Sequence, residues 1–208
     1  MDLHELRKNY TKNHLSESDV KDNPTQQFIA WFEEAQKSSI REPNAMTLAT
    51  ATANGKPSAR IVLLKEVDEK GFVFFTNYLS RKGSEITANP QAALLFFWDT
   101  LERQVRIEGT LEKIAESESE NYFNSRPLES RIGAIISKQS CIVKSREELE
   151  LEFEKTKESS EIKRPKNWGG YILSPNYFEF WQGGENRIHD RIIYTKHQEN
   201  WLIQRLAP

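Results

Sequence analysis

The sequence predicts a mostly β domain with flanking helices, an α+β arrangement. Three observations predict it. Runs rich in Val, Leu, Phe and Thr, cut by turn signals, fill the stretch from Met46 to Ile114. Two further extended runs lie near the C-terminus. Helix-start signals stand before and between the two β-rich blocks.

The elements follow in order. Residues 1–23 are polar and have no sustained period, which predicts a mobile N-terminal arm ahead of one domain over 24–208. Asn23 offers a helix N-cap and Pro24 fits the first helical position. Phe28, Trp31, Phe32 and Ala35 follow at helical spacing, so one face of this helix is buried. "AMTLATATANGKPSARIVLLKEVDEKGFVFFTN" then reads as strands divided at Asn54-Gly55 and at Asp68 to Gly71. "QAALLFFWDTLERQVRIEGTLEKI" adds two strands around a turn near Asp99-Thr100. Five strands with short connections predict an antiparallel meander that curls into a barrel. Ser117 with Glu120, and Ser145 with Glu148, read as capping boxes of two helices. The second helix is highly charged and is a solvated face. Strands return in "GGYILSPNYFEFWQ" and "RIIYTKHQENWLIQRLAP".

Composition narrows the function. The 208 residues are 37% hydrophobic and 29% charged, with a formal charge of −2. That balance argues against nonspecific nucleic-acid binding as the main task. Cys141 is the single cysteine, which rules out an internal disulfide and suits a reducing compartment. "MDLHELRKNY" is too polar for a signal peptide, and no apolar run approaches the roughly 20 residues of a membrane helix. The expectation is a cytoplasmic protein with neither nucleic acid nor membrane as partner.

Cations stand at four places where a fold alone does not ask for them. In "RIVLLK", strand alternation turns Arg60, Val62 and Leu64 to one face and Ile61, Leu63 and Lys65 to the other. The two charges then serve different anions, or they simply bracket a buried strand. In "TNYLSRKGSE", Thr76, Asn77, Ser80, Arg81 and Lys82 sit where a strand enters a helix. Hydroxyls, a helix start and adjacent Arg-Lys suit a phosphate, although a surface turn has the same composition. In "NYFNSRPLES", Tyr122 and Arg126 share a helical face and Ser130 follows at the same spacing across Pro127, a set that suits a second phosphate. In "EFWQGGENRIHDR", an extended chain puts Arg187, His189 and Arg191 on one face beside Trp181, where two arginines disfavour a protonated imidazole. Gln139 and Ser140 of "SKQS", and Gln104 on the polar face of its strand, add neutral hydrogen-bonding groups. Histidines and the cysteine lack metal-ligand spacing, and neither a Walker loop, a G-x-G-x-x-G nor a G-x-S-x-G occurs. What remains is a β-rich domain suited to a phosphorylated aromatic cofactor and a phosphorylated substrate.

The ordered set "EPNAM", "RIVLLK", "TNYxSRK", "LERQV", "YFxSRPxxSxIGA", "SKQS", "FEFWQG", "RxHDR" and "RLAP" resembles the pyridoxamine 5′-phosphate oxidase family. The resemblance runs from about Arg41 to Pro208 and touches the N-terminal "LRKNY". It implies an FMN-binding split β-barrel and a homodimer with flavin at the subunit interface. The activity implied is oxidation of pyridoxamine or pyridoxine 5′-phosphate by O2 to pyridoxal 5′-phosphate, with H2O2 released and ammonia from the amine. The resemblance also implies that a hydride passes from substrate C4′ to flavin N5. By motif match, Arg60, Ile61, Val62, Leu63, Phe75, Thr76, Arg81, Lys82, Gln104, Gln139, Ser140, Trp181 and Arg191 resemble flavin contacts. Lys65, Tyr122, Arg126 and Ser130 resemble the clamp on the substrate phosphate. Arg187 and His189 resemble the catalytic pair that holds the substrate ring, and Arg7 and Tyr10 match an N-terminal segment that closes over the site.

Overall fold

A computed structural model describes residues 1–6, 9–159 and 161–208. Helix α1 (Pro24–Lys37) begins where Asn23 Oδ1 accepts the amides of Thr25 and Gln26 at 2.8 and 3.2 Å. Its buried face carries Phe28, Trp31 and Ala35. Phe28 meets Phe72 and Phe96 with ring centroids 5.0 Å apart, so α1 seals the concave side of the sheet.

Strands β1 (Ala45–Ala51) and β2 (Pro57–Leu63) form the hairpin expected at Asn54-Gly55, with Gly55 at φ +83°. Strands β3 (Glu66–Asp68) and β4 (Gly71–Asn77) form a second hairpin. Helix α2 (Arg81–Ala88) leads to a third, of β5 (Gln91–Trp98) and β6 (Arg103–Lys113). Helices α3 (Glu116–Ser125), α4 (Leu128–Ile136) and α5 (Arg146–Lys157) precede β7 (Trp168–Gln182), β8 (Asp190–His197) and β9 (Asn200–Arg205).

The strands build one antiparallel sheet in the order β2-β1-β5-β6-β7-β4-β3, with β8 and β9 attached through β7. The expected meander is therefore corrected. Hairpins are local, but β4 pairs with β7 rather than with β5, because α2 carries the chain away from β4 and returns it beside β1. Strand β7 organises the curl. Its first half pairs with β4, its second half with β8, and β6 runs along both halves. A register shift at Glu108/Gly109 bends β6, and a Cβ on Gly109 would lie 2.1 Å from the Ser174 carbonyl. Leu48, Leu94, Phe96, Val105, Ile107, Phe178, Phe180 and Tyr194 form the core on the α1 side.

Two helix starts differ from expectation. Ser145 caps α5 as read, accepting the Glu148 amide at 3.2 Å. Helix α3 starts ahead of Ser117, where the Glu118 carboxylate accepts the Ala115 amide at 3.0 Å. The additional helix α4 begins after Pro127, so the chain from Tyr122 to Ser130 is two helices joined at an extended Arg126. The N-terminal segment lies against the domain, with Leu15 buried in the core. Among the described residues no helix is long and apolar enough to cross a membrane.

Candidate functional site

The cationic end of the site forms where β4 runs into α2. Ser80 caps α2, and Lys82, in its first turn, is buried. Lys82 Nζ donates to Gln139 Oε1 at 2.7 Å and to Thr76 Oγ1 at 3.2 Å. The Arg81 amide donates to Ser140 Oγ at 3.2 Å. Ser140 sits at φ +73°, a left-handed conformation that turns the "SKQS" loop back onto α2. Four predicted residues distant in sequence, Thr76, Lys82, Gln139 and Ser140, are thus drawn together. Burial and then the nearby Arg60 push the Lys82 ammonium below its usual range. An anion would relieve both effects.

Glu85, which the motif reading missed, organises the arginines beside it. Arg81 Nε donates to Glu85 Oε1 at 2.9 Å and Arg60 Nη2 to Oε2 at 3.1 Å, while Thr50 and Ser58 donate to Oε2 at 2.5 and 2.6 Å. Burial raises the Glu85 carboxyl, but these hydrogen bonds outweigh it and hold the group at about 2. Arg60 also donates to the Leu48 carbonyl and to Thr50 and Ser58, so its guanidinium is largely committed. The signal in the sequence was the spacing of Arg81 and Glu85, four apart on one helix.

A cavity of about 670 Å³ opens beside this cradle. Ile61, Val62, Leu63, Phe75, Thr76, Lys82 and Gln139 of the predicted flavin set line it, together with Lys65, Tyr122, Arg126 and Ser130 of the predicted phosphate clamp. Lys65 lies between β2 and β3, where its amide donates to the Val73 carbonyl at 2.9 Å. Phe75 stacks on Tyr122 at 3.9 Å and on Trp168 at 5.5 Å, and Arg126 stands 4.7 Å over the Trp168 ring. Burial lowers the Arg126 pKa, and its Nη1 is buried without a hydrogen-bond partner. A buried guanidinium nitrogen with an open donor on this half-buried side chain is costly unless an anion takes it. Trp168 was the second omission; "KNWGG" gave no motif that tied it to the site.

The remaining predicted residues gather elsewhere. Gln104, Trp181 and Arg191 are directly opposed on β6, β7 and β8, forming a row on the sheet face away from α1. Trp181 packs against His189 with ring centroids 4.9 Å apart. A second cavity, of about 600 Å³, is lined by Tyr10, Gly184, Asn186, Arg187 and His189, with Leu6 and Asn9. Neither cavity includes a residue of the other. The extended segment expected from Arg187 to Arg191 is corrected. Glu185–Arg187 form a 3-10 turn, with Asn186 and Arg187 at φ +54° and +64°. Arg187 therefore does not share a strand face with Arg191. Arg191 instead donates to Glu179 Oε1 at 2.8 Å, and Arg106 to Glu179 Oε2 at 2.6 Å. Burial raises the Glu179 carboxyl, but the bonds from Arg191 and Arg106 bring it below its ordinary value. The Gly184 amide donates to His189 Nδ1 at 3.1 Å, which places the proton of a neutral imidazole on Nε2, the nitrogen left for a ligand. Arg7 lies outside the described residues. Among the described residues, no group of three or more His, Cys, Asp or Glu is arranged to hold a metal.

Comparison with known proteins gives a consistent result. Residues 32–160 match the family model described as "Pyridoxamine 5′-phosphate oxidase", and residues 168–208 match "Pyridoxine 5′-phosphate oxidase C-terminal dimerisation region". A pyridoxine/pyridoxamine 5′-phosphate oxidase of Trichormus variabilis is 56% identical, over 98% of this chain and 97% of its own. One from Burkholderia lata is 54% identical, over 99% of each. Among solved structures, PhzG from Burkholderia lata, crystallised with tetrahydrophenazine-1-carboxylic acid, superposes with a TM-score of 0.90. It is 30% identical, over 95% of this chain and 99% of its own. An FMN-binding protein from Nostoc punctiforme has the same fold at a TM-score of 0.75 and 18% identity, over 91% of this chain and all of its own.

Proposed function

Because the chain belongs to the pyridoxine/pyridoxamine 5′-phosphate oxidase family, we propose that it oxidises pyridoxamine 5′-phosphate and pyridoxine 5′-phosphate to pyridoxal 5′-phosphate. The cofactor is FMN and the acceptor is O2. The observation that carries this proposal is the 670 Å³ cavity, which has buried Lys82 in the α2 cradle and the open donor of Arg126 beside stacked aromatic rings. Two phosphate esters on flat rings fit that distribution of charge and π surface.

Thr76, Arg81, Lys82, Gln139 and Ser140 would hold the FMN phosphate, with Arg60 fixed behind them by Glu85. Ile61, Val62, Leu63 and Phe75 would line the flavin. Gln104, Trp181 and Arg191 would complete its site from a second copy of the chain, an assignment supported by their separation from the cavity and by the matched dimerisation region. Lys65, Tyr122, Arg126 and Ser130 would clamp the substrate phosphate. From the second copy, Arg187 and His189 would orient the substrate ring, with His189 offering its Nε2 proton and Tyr10 closing the pocket as a lid. When bound, FMN supplies two-electron oxidation at the substrate's C4′ carbon, by hydride uptake at N5, and reoxidation by O2 to H2O2. The amine substrate also consumes water and releases ammonia.

The PhzG relative raises an alternative, a different substrate on the same fold. The phosphate clamp favours the proposal made here: Lys65, Tyr122, Arg126 and Ser130 all reach one cavity. Similarity points the same way, since the Burkholderia lata oxidase is 54% identical and the PhzG of that organism 30%. The test is direct. The purified protein should be yellow, or turn yellow with added FMN. In air it should convert pyridoxamine 5′-phosphate to an aldehyde while releasing peroxide. A colourless protein that refuses excess FMN overturns the proposal.

A further inference from the structure

Glu102 occupies an unfavourable backbone position. It ends the 3-10 turn Asp99–Leu101 at φ +54°, ψ +39°, a left-handed conformation that glycine or asparagine adopts more readily. Its carboxylate has a use that glycine could not supply. Glu102 Oε2 accepts the backbone amides of Thr11 at 2.9 Å and Lys12 at 3.1 Å. The Lys12 ammonium returns to the same turn, at the Thr100 carbonyl. The backbone carbonyl of Glu102 meanwhile accepts the Gly183 amide at 2.8 Å and Gln182 Nε2 at 3.2 Å. One residue therefore fastens the N-terminal segment to the root of the loop that bears Arg187 and His189.

The consequence is the placement of Tyr10, next in the chain to Thr11. Its ring lies edge-on to Trp181 at 5.6 Å and to His189 at 5.9 Å. It rests on Gly183, where even a Cβ would come within 2.7 Å of Tyr10 Cγ. Leu6, Asn9 and Tyr10 form the wall of the second cavity that faces Asn186, Arg187 and His189. A second hold lies farther along. Asp190 accepts the Leu15 amide at 2.9 Å, and Arg205 donates to the Leu15 carbonyl, also at 2.9 Å. The hydrogen bonds of Thr11 and Lys12 to the domain end at the turn of residues 100–102.

We propose that Glu102 is a positioning residue: its carboxylate latches the N-terminal segment so that Tyr10 closes the pocket of Arg187 and His189. Glu102 does not line either cavity, so it acts through Tyr10 and not on the ligand. The effect on catalysis rests on the oxidase function proposed above; the latch itself rests on geometry alone.

Glu102→Gly suits the left-handed turn and removes the carboxylate, while Glu102→Gln keeps one acceptor oxygen without the charge. Hydrogen exchange followed by mass spectrometry on the FMN-loaded full chain reads the latch directly. In Glu102→Gly the amides of Thr11 and Lys12 should exchange about ten-fold faster or more, as expected on losing bonds to a charged acceptor. Protection across β6 should be unchanged, and Glu102→Gln should recover part of the loss. FMN content should stay at the wild-type level, while KM for pyridoxamine 5′-phosphate rises about five- to ten-fold and kcat changes less. Equal protection of the two amides in wild type and Glu102→Gly overturns the latch. A wild-type protein that does not oxidise the substrate overturns the functional proposal instead, and leaves the exchange contrast to decide the latch.

Discussion

Replacing Glu85 with glutamine should make the fold measurably less stable, in a way that depends on pH. Four side chains converge on this carboxylate, and they hold it at about 2 against an ordinary 4.5. Taken at face value, that depression is a stabilisation of about 3 kcal/mol at neutral pH. Arg81 is more than half exposed, so solvent screens part of the interaction, and about 1–2 kcal/mol is the expected loss. The sign follows from the direction of the shift. A carboxyl held low in the folded state stabilises above the unfolded pKa, and loses that contribution as pH falls from about 4.5 towards 2. The assay is urea unfolding of flavin-free protein at fixed chain concentration, for wild type and Glu85→Gln, between pH 7 and pH 3. The two curves should stand apart at pH 7 and draw together below pH 4.5. A gap that stays constant through the acid range would refute the assignment of this stability to an ionised Glu85.

Further substitutions separate the roles within the site. Lys82→Met should weaken FMN binding about ten- to a hundred-fold, measured by flavin titration, through loss of a buried charged donor. Arg126→Ala should raise KM for the phosphorylated substrates by a similar factor while leaving FMN affinity nearly unchanged, as checked by steady-state kinetics and the same titration. Arg187→Ala should lose far more turnover than flavin. If that variant sheds FMN and keeps its turnover per bound flavin, Arg187 does not orient the substrate.

Local features were legible in the sequence. Asn23 with Pro24 marked the start of α1 and Asn54-Gly55 marked a hairpin. The five strands expected in the first β-rich block are six, however, since the run through Arg60 divides into β2 and β3, and the C-terminal run divides into β8 and β9. Sheet order was not legible, because β4 finds its partner in β7 some hundred residues later, and neither pattern nor turn chemistry records that pairing. The same limit applies to the site. Motifs named Thr76, Lys82, Gln139 and Ser140, which depend on short loops and a helix start. The pattern of Arg187, His189 and Arg191 misled, since two left-handed residues break the assumed strand and Glu179 claims Arg191. Glu85 stood four residues from Arg81, a spacing the motifs passed over, whereas Glu102 escaped notice because an acidic residue in a charged, 208-residue chain carries no signal until its donors are known.

Mixing two disabled chains tests the shared site most directly. One chain carries Lys65→Ala with Arg126→Ala, and the other carries Arg187→Ala with His189→Ala; each alone should be nearly inactive. After unfolding and refolding together in equal amounts, random pairing makes half of the dimers mixed, each with one intact site, so about one quarter of wild-type activity should return. Recovery near that level is the result expected if the two clusters meet across a subunit interface. Dimers that exchange chains yet recover nothing would contradict it.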